Sequence, residues 1–139
     1  MSAKYFIDTN IFVYTFDRSA PEKKRISNKL VRKAIEGGGC ISYQVIQEFS
    51  NAALNKFRKP FTREELLQYM EMVLFPLCSV WPDENLYRES LAAGLETGCS
   101  WYDSLILSAA VNSGSKILYS EDLQHGRKYR NLKIVNPFI

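Results

Sequence analysis

Apolar residues in this chain form short runs that stop at polar or acidic positions, and these runs alternate with stretches in which apolar residues recur every three or four positions. The first run, Tyr5-Phe6-Ile7, stops at Asp8-Thr9-Asn10 and predicts a buried parallel strand ending in a polar loop. Ile11 to Phe16 is expected to turn helical. Beyond Pro21, the residues Ile26, Leu30, Ala34 and Ile35 keep helical spacing, and Gly37 to Gly39 supplies the stop expected past a helix C-terminus. Cys40 to Ser42 reads as a second strand. Tyr43 to about Lys59 reads as a helix with Ile46, Phe49, Ala53 and Phe57 on its apolar face, ended by Pro60. Thr62 and Glu65 have capping-box spacing for a helix buried through Leu66, Met70, Val73 and Leu74 and closed by Pro76. Leu77 to Trp81 predicts a third strand. Asp83 and Ser100 are N-caps for two more helices. The first carries Tyr87, Leu91, Gly94 and Leu95 up to Gly98; the second runs through Leu105, Ile106 and Ala109 to Gly114. Lys116 to Ser120 is strand-like and again ends in acid, Glu121-Asp122, and Leu132 to Val135 offers a last short strand.

Strands alternating with helices predict an α/β sandwich, one domain spanning residues 1–139 around a central, mainly parallel sheet of four or five strands. In such sheets ligands bind beyond the C-terminal ends of the strands. Asp8 and Asp122 both follow apolar strands, so topology is expected to bring them to one sheet edge although they are distant in sequence.

Composition narrows the class. With 46% hydrophobic and 24% charged residues in 139 positions, the chain can bury a core of its own. Its net charge of +3 is too mild to identify a nucleic-acid binder, but it conceals two basic stretches. One holds Lys23, Lys24, Arg25, Lys29, Arg32 and Lys33; the other holds Arg127, Lys128, Arg130 and Lys133. Either could contact phosphates or simply be a wet face. Cys40, Cys78 and Cys99 are odd in number and lack C-x-x-C spacing, which argues against disulfides or a zinc knuckle and for a reducing cytoplasmic setting. The N-terminal run is unlike a signal peptide and no apolar stretch is long enough for a bilayer, so no membrane association is expected. A P-loop, a G-x-G-x-x-G turn and a G-x-S-x-G elbow are missing. The one histidine, His125, cannot build a two-histidine metal site or a paired-histidine acid–base mechanism, and is read as a loop residue.

The acids remain. Glu48 lies between Val45 and Ala52 at the border of its helix's buried stripe, where it can face a cleft or merely solvent. Asp103 in WYDSLILSAA is three positions past Ser100, so a capping box explains it, yet the aromatic and apolar residues around it place a carboxylate in a packed setting. Asp8 doubles as an N-cap residue. Spacing alone leaves open whether Glu121 or Asp122 turns inward, because adjacent residues on extended chain face opposite ways. Converging carboxylates cannot all stay ionised without a cation, and an oxygen-only set selects a hard one, Mg²⁺ or Mn²⁺.

With YFIDTNIFVY around Asp8, QVIQEF around Glu48, WYDSLILSAA around Asp103 and ILYSEDLQHG around Asp122, the chain resembles PIN-domain endoribonucleases along nearly its whole length, and within them the VapC-type toxins of toxin–antitoxin pairs. The resemblance implies a PIN-like α/β/α sandwich and a metal-dependent endoribonuclease. It implies that Asp8, Glu48, Asp103 and Asp122 hold Mg²⁺ or Mn²⁺, and that single-stranded RNA is cut to leave a 3′-hydroxyl and a 5′-phosphate. Asn10 and Ser120 would be supporting or phosphate contacts, the protein a homodimer, and its inhibitor a cognate antitoxin. Asp122 over Glu121 follows from the family pattern. The segment Arg127 to Lys133 is more basic than that pattern leads one to expect. Two rivals remain: a non-catalytic RNA-binding or scaffold module, and a receiver-type phosphoacceptor. The latter wants an acid pair after the first strand and a mid-chain aspartate, against the lone Asp8 and helical Glu48 here.

Overall fold

Tyr5-Phe6-Ile7 forms a strand, β1 (Tyr5–Ile7), that is buried at every position because it pairs on both sides, which is why the run shows no polar alternation. The computed structural model describes residues 4–139; Met1 to Ala3, which open the N-terminal run, lie outside them. On one side of β1 lies β2 (Gly39–Ser42) and beyond it β3 (Cys78–Val80); on the other lie β4 (Ile117–Tyr119) and β6 (Leu132–Val135), all five parallel. β5 (Lys128–Tyr129) adds a sixth strand antiparallel to β6, giving the order β3-β2-β1-β4-β6-β5. The five parallel strands match the expected sheet, and the two-residue β5 extends it. The unusually basic segment from Arg127 to Lys133 is this edge hairpin, turned at Arg130 with φ 54°. Lys128 on this short outer strand opposes pairing with another chain.

The helices flank the sheet: α1 (Thr9–Tyr14), α2 (Pro21–Glu36), α3 (Tyr43–Asn55), α4 (Arg63–Tyr69), α5 (Phe75–Leu77), α6 (Glu84–Thr97) and α7 (Trp101–Asn112). α2, α3 and α7 pack on β2, and α6 lies along α7. Among the described residues no helix is long and apolar enough to cross a membrane, and Cys40, Cys78 and Cys99 are unbridged. The Thr62–Glu65 capping box forms as its spacing predicts.

Four expectations shift. α3 stops at Asn55 rather than near Lys59, because the chain wraps back: Phe57 N–H donates to Ala52 and Phe61 N–H to Ala53. The helix begun at Arg63 is not closed by Pro76 but passes through a π-helical turn at Met70–Leu74, where Phe75 N–H reaches back to the Met70 carbonyl. The wider turn accommodates the proline, which has no N–H to give. α2 buries Ser27, Val31 and Ala34, leaving Ile35 outside. α6 buries Leu86, Ser90 and Ala93, so the row Tyr87, Leu91 and Leu95 faces outward, with Leu95 91% exposed. Close contact with α7 favours small residues on that face: a Cβ on Gly94 would stand 3.0 Å from Ser104 Oγ.

At Gly39 the chain passes too close to its neighbours for a side chain: a Cβ would fall 2.4 Å from Ala34 Cβ and 2.9 Å from Tyr5 Cε2. Gly39→Ala is expected to destabilise by about 1–3 kcal/mol through overpacking between α2 and β2, measured as a lower urea midpoint with unchanged slope.

Candidate metal centre

Because β1 and β4 are parallel neighbours, the residues that follow them stand side by side at the C-terminal edge of the sheet. Asp8 N–H donates to the Tyr119 carbonyl at 3.0 Å, continuing the ladder one step past β1. The Asp8 carboxylate caps α1 and is only 5% exposed. It accepts from Thr9 N–H at Oδ1 and from Ser120 Oγ–H at Oδ2, both at 2.8 Å. Ser120, fully buried, also accepts from the N–H groups of Asp122 and Leu123, at 3.2 and 3.3 Å, which curls the loop after β4 over the end of β1.

The other acids are tied to the same edge. Thr9 Oγ1–H donates to Glu48 Oε1 at 2.6 Å, fixing the α3 glutamate to the start of α1. Asn10 Nδ2 donates to Asp122 Oδ2 at 2.8 Å. Asp103 sits in the first turn of α7, its N–H donating to Ser100 Oγ at 3.3 Å, so Ser100 caps the helix but only this half of the expected capping box forms, and the Asp103 charge acts on Asp122 at this edge. Buried Gln44 joins the two remaining helices, donating from Nε2 to the Tyr102 carbonyl at 3.1 Å and toward Glu48 Oε2 at 3.4 Å.

Glu121 turns away. It accepts from Tyr14 O–H and from Lys23 Nζ, and that ammonium also lies 4.9 Å from the Tyr14 ring centroid and 5.5 Å from that of Phe138. Burial opposes ionisation of Glu121, but the Lys23 and Tyr14 donors outweigh it and hold its pKa below the usual value. With Glu121 engaged by Lys23, Asp122 is the member of the pair that joins Asn10.

Electrostatics report how close these groups are. Burial above all, then the charges of Glu48 and Asp122, push the Asp8 pKa up to about 7 against the opposing hydrogen bonds from Ser120 and Thr9. Asp122 is raised by burial, then by Asp103 and Glu121, with Asn10 opposing and Glu48 adding to the rise. Among the described residues the ion pairs are Lys23–Glu121, Arg25–Glu22 and Arg88–Glu84, so no lysine or arginine neutralises Asp8, Glu48, Asp103 or Asp122. Neutral hydroxyl and amide donors occupy oxygens of Asp8, Glu48 and Asp122 instead. Among the described residues no group of three or more His, Cys, Asp or Glu side chains stands so that it could hold a metal ion. The carboxylates of this edge are all oxygen donors, the chemistry that a hard divalent cation takes.

A sequence model of the PIN domain matches residues 5–131, a span that holds all four acids. The chain belongs to the PIN domain family. Among solved structures, this PIN domain is similar to a chain in the crystal structure of VapBC2 from Rickettsia felis bound to a DNA fragment from their promoter. The TM-score is 0.61 at 18% identity, with 94% of this chain and 96% of that one covered, a likeness of fold. Comparison with curated proteins found no match.

In this PIN domain hydrogen bonds join Asp8 to Ser120, Asp122 to Asn10 and Glu48 to Thr9 beside Asp8, while Asp103 is linked to the others through its charge on Asp122. Three further elements escaped notice: Thr9, Gln44 and the Tyr14–Lys23–Glu121 cluster. Thr9 had a signal in the Asp-Thr-Asn turn and Gln44 in its helical offset from Glu48, whereas Lys23 was hidden in a charged run. His125 lies in the loop after β4, its Nδ1 accepting from Asn136 N–H at 2.9 Å.

A folded-state pKa raised from 3.8 to about 7 makes Asp8 bind a proton in the fold that it has lost in the unfolded chain, so stability is fullest below about pH 4 and falls as pH rises toward 7. The loss is on the order of a few kcal/mol. In chelator, the melting temperature attributable to this group should drop between about pH 4 and 7, Mg²⁺ or Mn²⁺ should restore it at pH 8, and Asp8→Asn should flatten the profile. A steep profile surviving in Asp8→Asn would contradict the cause assigned.

Proposed function

We propose that this PIN domain is a metal-dependent endoribonuclease cleaving single-stranded RNA, the VapC-type toxin of a cytoplasmic toxin–antitoxin pair. The observation that supports it most is the set of four acids at one sheet edge without a cationic side chain among them, one of them buried. Asp8 and Asp103 would hold the principal Mg²⁺ or Mn²⁺, and Glu48 and Asp122 would complete its shell directly or through water. When bound, such an ion lowers the pKa of an attacking water and offsets charge building on the phosphate.

The chain's own residues set the stage for that chemistry. Ser120 and Thr9 N–H fix both oxygens of Asp8, so the carboxylate is oriented before any ligand arrives. Thr9 Oγ1 and Gln44 hold Glu48, Asn10 holds Asp122, and Lys23 with Tyr14 keeps Glu121 out. The depressed tendency of Asp8 to ionise is relieved when a cation shares its field, which couples ion binding to proton release.

Partners follow by likeness. The VapBC2 complex of Rickettsia felis supports an antitoxin as the inhibitor. The outward row of Tyr87, Leu91 and Leu95, with Trp101 stacked on Tyr87 at 6.3 Å between centroids, gives a second copy an apolar face to cover in a homodimer.

The test is incubation of purified, inhibitor-free protein with defined RNAs in Mg²⁺, Mn²⁺ or chelator, followed by mapping of the ends. Cutting only with the metals, leaving 3′-hydroxyl and 5′-phosphate ends, is expected. Asp8→Asn and Asp103→Asn should each lower the rate at least about a hundredfold while remaining folded, and Asp122→Asn should cost more than Glu121→Gln. Equal binding of RNA in chelator with no cutting under any condition would instead favour a non-catalytic module.

A further inference from the structure

One cleft in the molecule is lined by none of the four acids. It is a cleft of about 890 Å³ where the end of α1, the loop into α2 and the segment after α3 meet. Phe16, Phe57 and Phe61 line it. Phe16 is 40% exposed, and its ring is propped by Phe61 at 5.1 Å and Tyr69 at 5.4 Å, with fully buried Phe49 behind at 5.9 Å. An exposed aromatic on so rigid a base presents a fixed π face.

Five cations surround these rings: Arg18, Lys24, Lys56, Arg58 and Lys59. None of the five is in an ion pair among the described residues. The two acids on the lining are engaged elsewhere: Asp17 accepts from the N–H and hydroxyl of Ser19, and Glu65 accepts from Thr62 N–H in its capping box. The first basic stretch of the sequence is therefore divided in three dimensions, with Lys23 on Glu121, Arg25 on Glu22, and Lys24 at the cleft.

Position connects the cleft to the candidate centre. Asp8 caps α1, whose C-terminal end leads on to Phe16; α3 carries Glu48 and is followed directly by Lys56. Each interval is eight residues, about 12 Å where helical at 1.5 Å per residue, a span of a few nucleotides. Unpaired cations around an exposed ring are the groups that grip the phosphates and stack a base of a single strand.

We propose that this cleft is a second RNA subsite, taking phosphates of the strand flanking the cleaved bond on Lys56, Arg58 and Lys59 and one unpaired base on Phe16. The inference rests on the nuclease reading for the strand's register. It places substrate recognition away from the acids, on a surface where negative charge is attracted and not repelled.

Binding of a labelled, unstructured RNA 12-mer to the full chain, measured by fluorescence anisotropy in chelator at several salt concentrations, tests it without any cleavage. Lys56→Ala/Arg58→Ala/Lys59→Ala should weaken binding at least about tenfold and reduce the log–log salt slope by about 2, since each strand phosphate contributes about 0.7. Phe16→Leu, which keeps an apolar contact but loses the π face, should weaken it about fivefold or more without that slope change. Lys29→Ala/Arg32→Ala/Lys33→Ala, which removes the same charge from α2 outside the cleft, should leave affinity within about twofold of wild type. Equal losses in the two triple variants would overturn the proposal, as would a cleft variant that loses a glutamate decamer but keeps RNA, since the cleft would then be an acidic-peptide site. Wild-type protein that binds RNA through the cleft yet cuts nothing with Mg²⁺ or Mn²⁺ would sink the nuclease reading alone. Wild-type protein that cuts RNA, with the cleft variant binding as tightly, would sink the cleft alone.

Discussion

A carboxylate removed from water is costly unless it is protonated, hydrogen-bonded or matched by a cation. Asp8 is in that position, 5% exposed at the end of a strand buried on both sides, with two neutral donors on its oxygens. Much of the surrounding structure answers this one constraint. The parallel register of β1 with β4 brings Ser120 to one oxygen, and the start of α1 brings Thr9 N–H to the other. The same short segment then sends Thr9 Oγ1 to Glu48 and Asn10 to Asp122, so two successive residues organise three acids.

The repulsion that results is a property of the ensemble of acids. Asp8 feels Glu48 and Asp122; Asp122 feels Asp103, Glu121 and Glu48. The fold answers it selectively. Glu121 receives Lys23 and Tyr14, whereas the four acids of the candidate centre receive no cationic side chain, although 18 lysines and arginines are present in the chain. Cations go to the cleft beyond α1 and α3, to the hairpin edge, and to local helical pairs. That separation, negative at the sheet edge and positive about 12 Å away along two helices, is what a protein needs if the acids are to address an external cation and the basic groups an external polyanion.

Helix faces were decided by neighbours and not by hydrophobicity alone. α6 turns its small residues inward because α7 approaches closely at Gly94 and Ser104, and this leaves Tyr87, Leu91 and Leu95 outside. α2 rotates likewise, with Ser27 buried and Ile35 exposed. At Pro76 the helix continues because a π-helical turn widens ahead of it, an adjustment that the proline's local preference does not foretell.

Local chemistry was enough for the strand–helix alternation, the parallel sheet, the Thr62–Glu65 capping box and the acids after β1 and β4, because runs, periodicity and caps act over a few residues. Asp8, Glu48, Asp103 and Asp122 could be named from their settings and from the family pattern, since each follows a short recognisable segment. Only the folded chain decided that Glu121 faces Lys23 while Asp122 faces Asn10, that Gln44 ties α3 to α7, and that Lys56, Arg58 and Lys59 leave the helix to rim a cleft with Phe16. The physical reason is range: a cap or a stripe is fixed by neighbours in sequence, whereas which charge meets which depends on partners 39 to 112 positions away, and those meet only when the sheet is assembled.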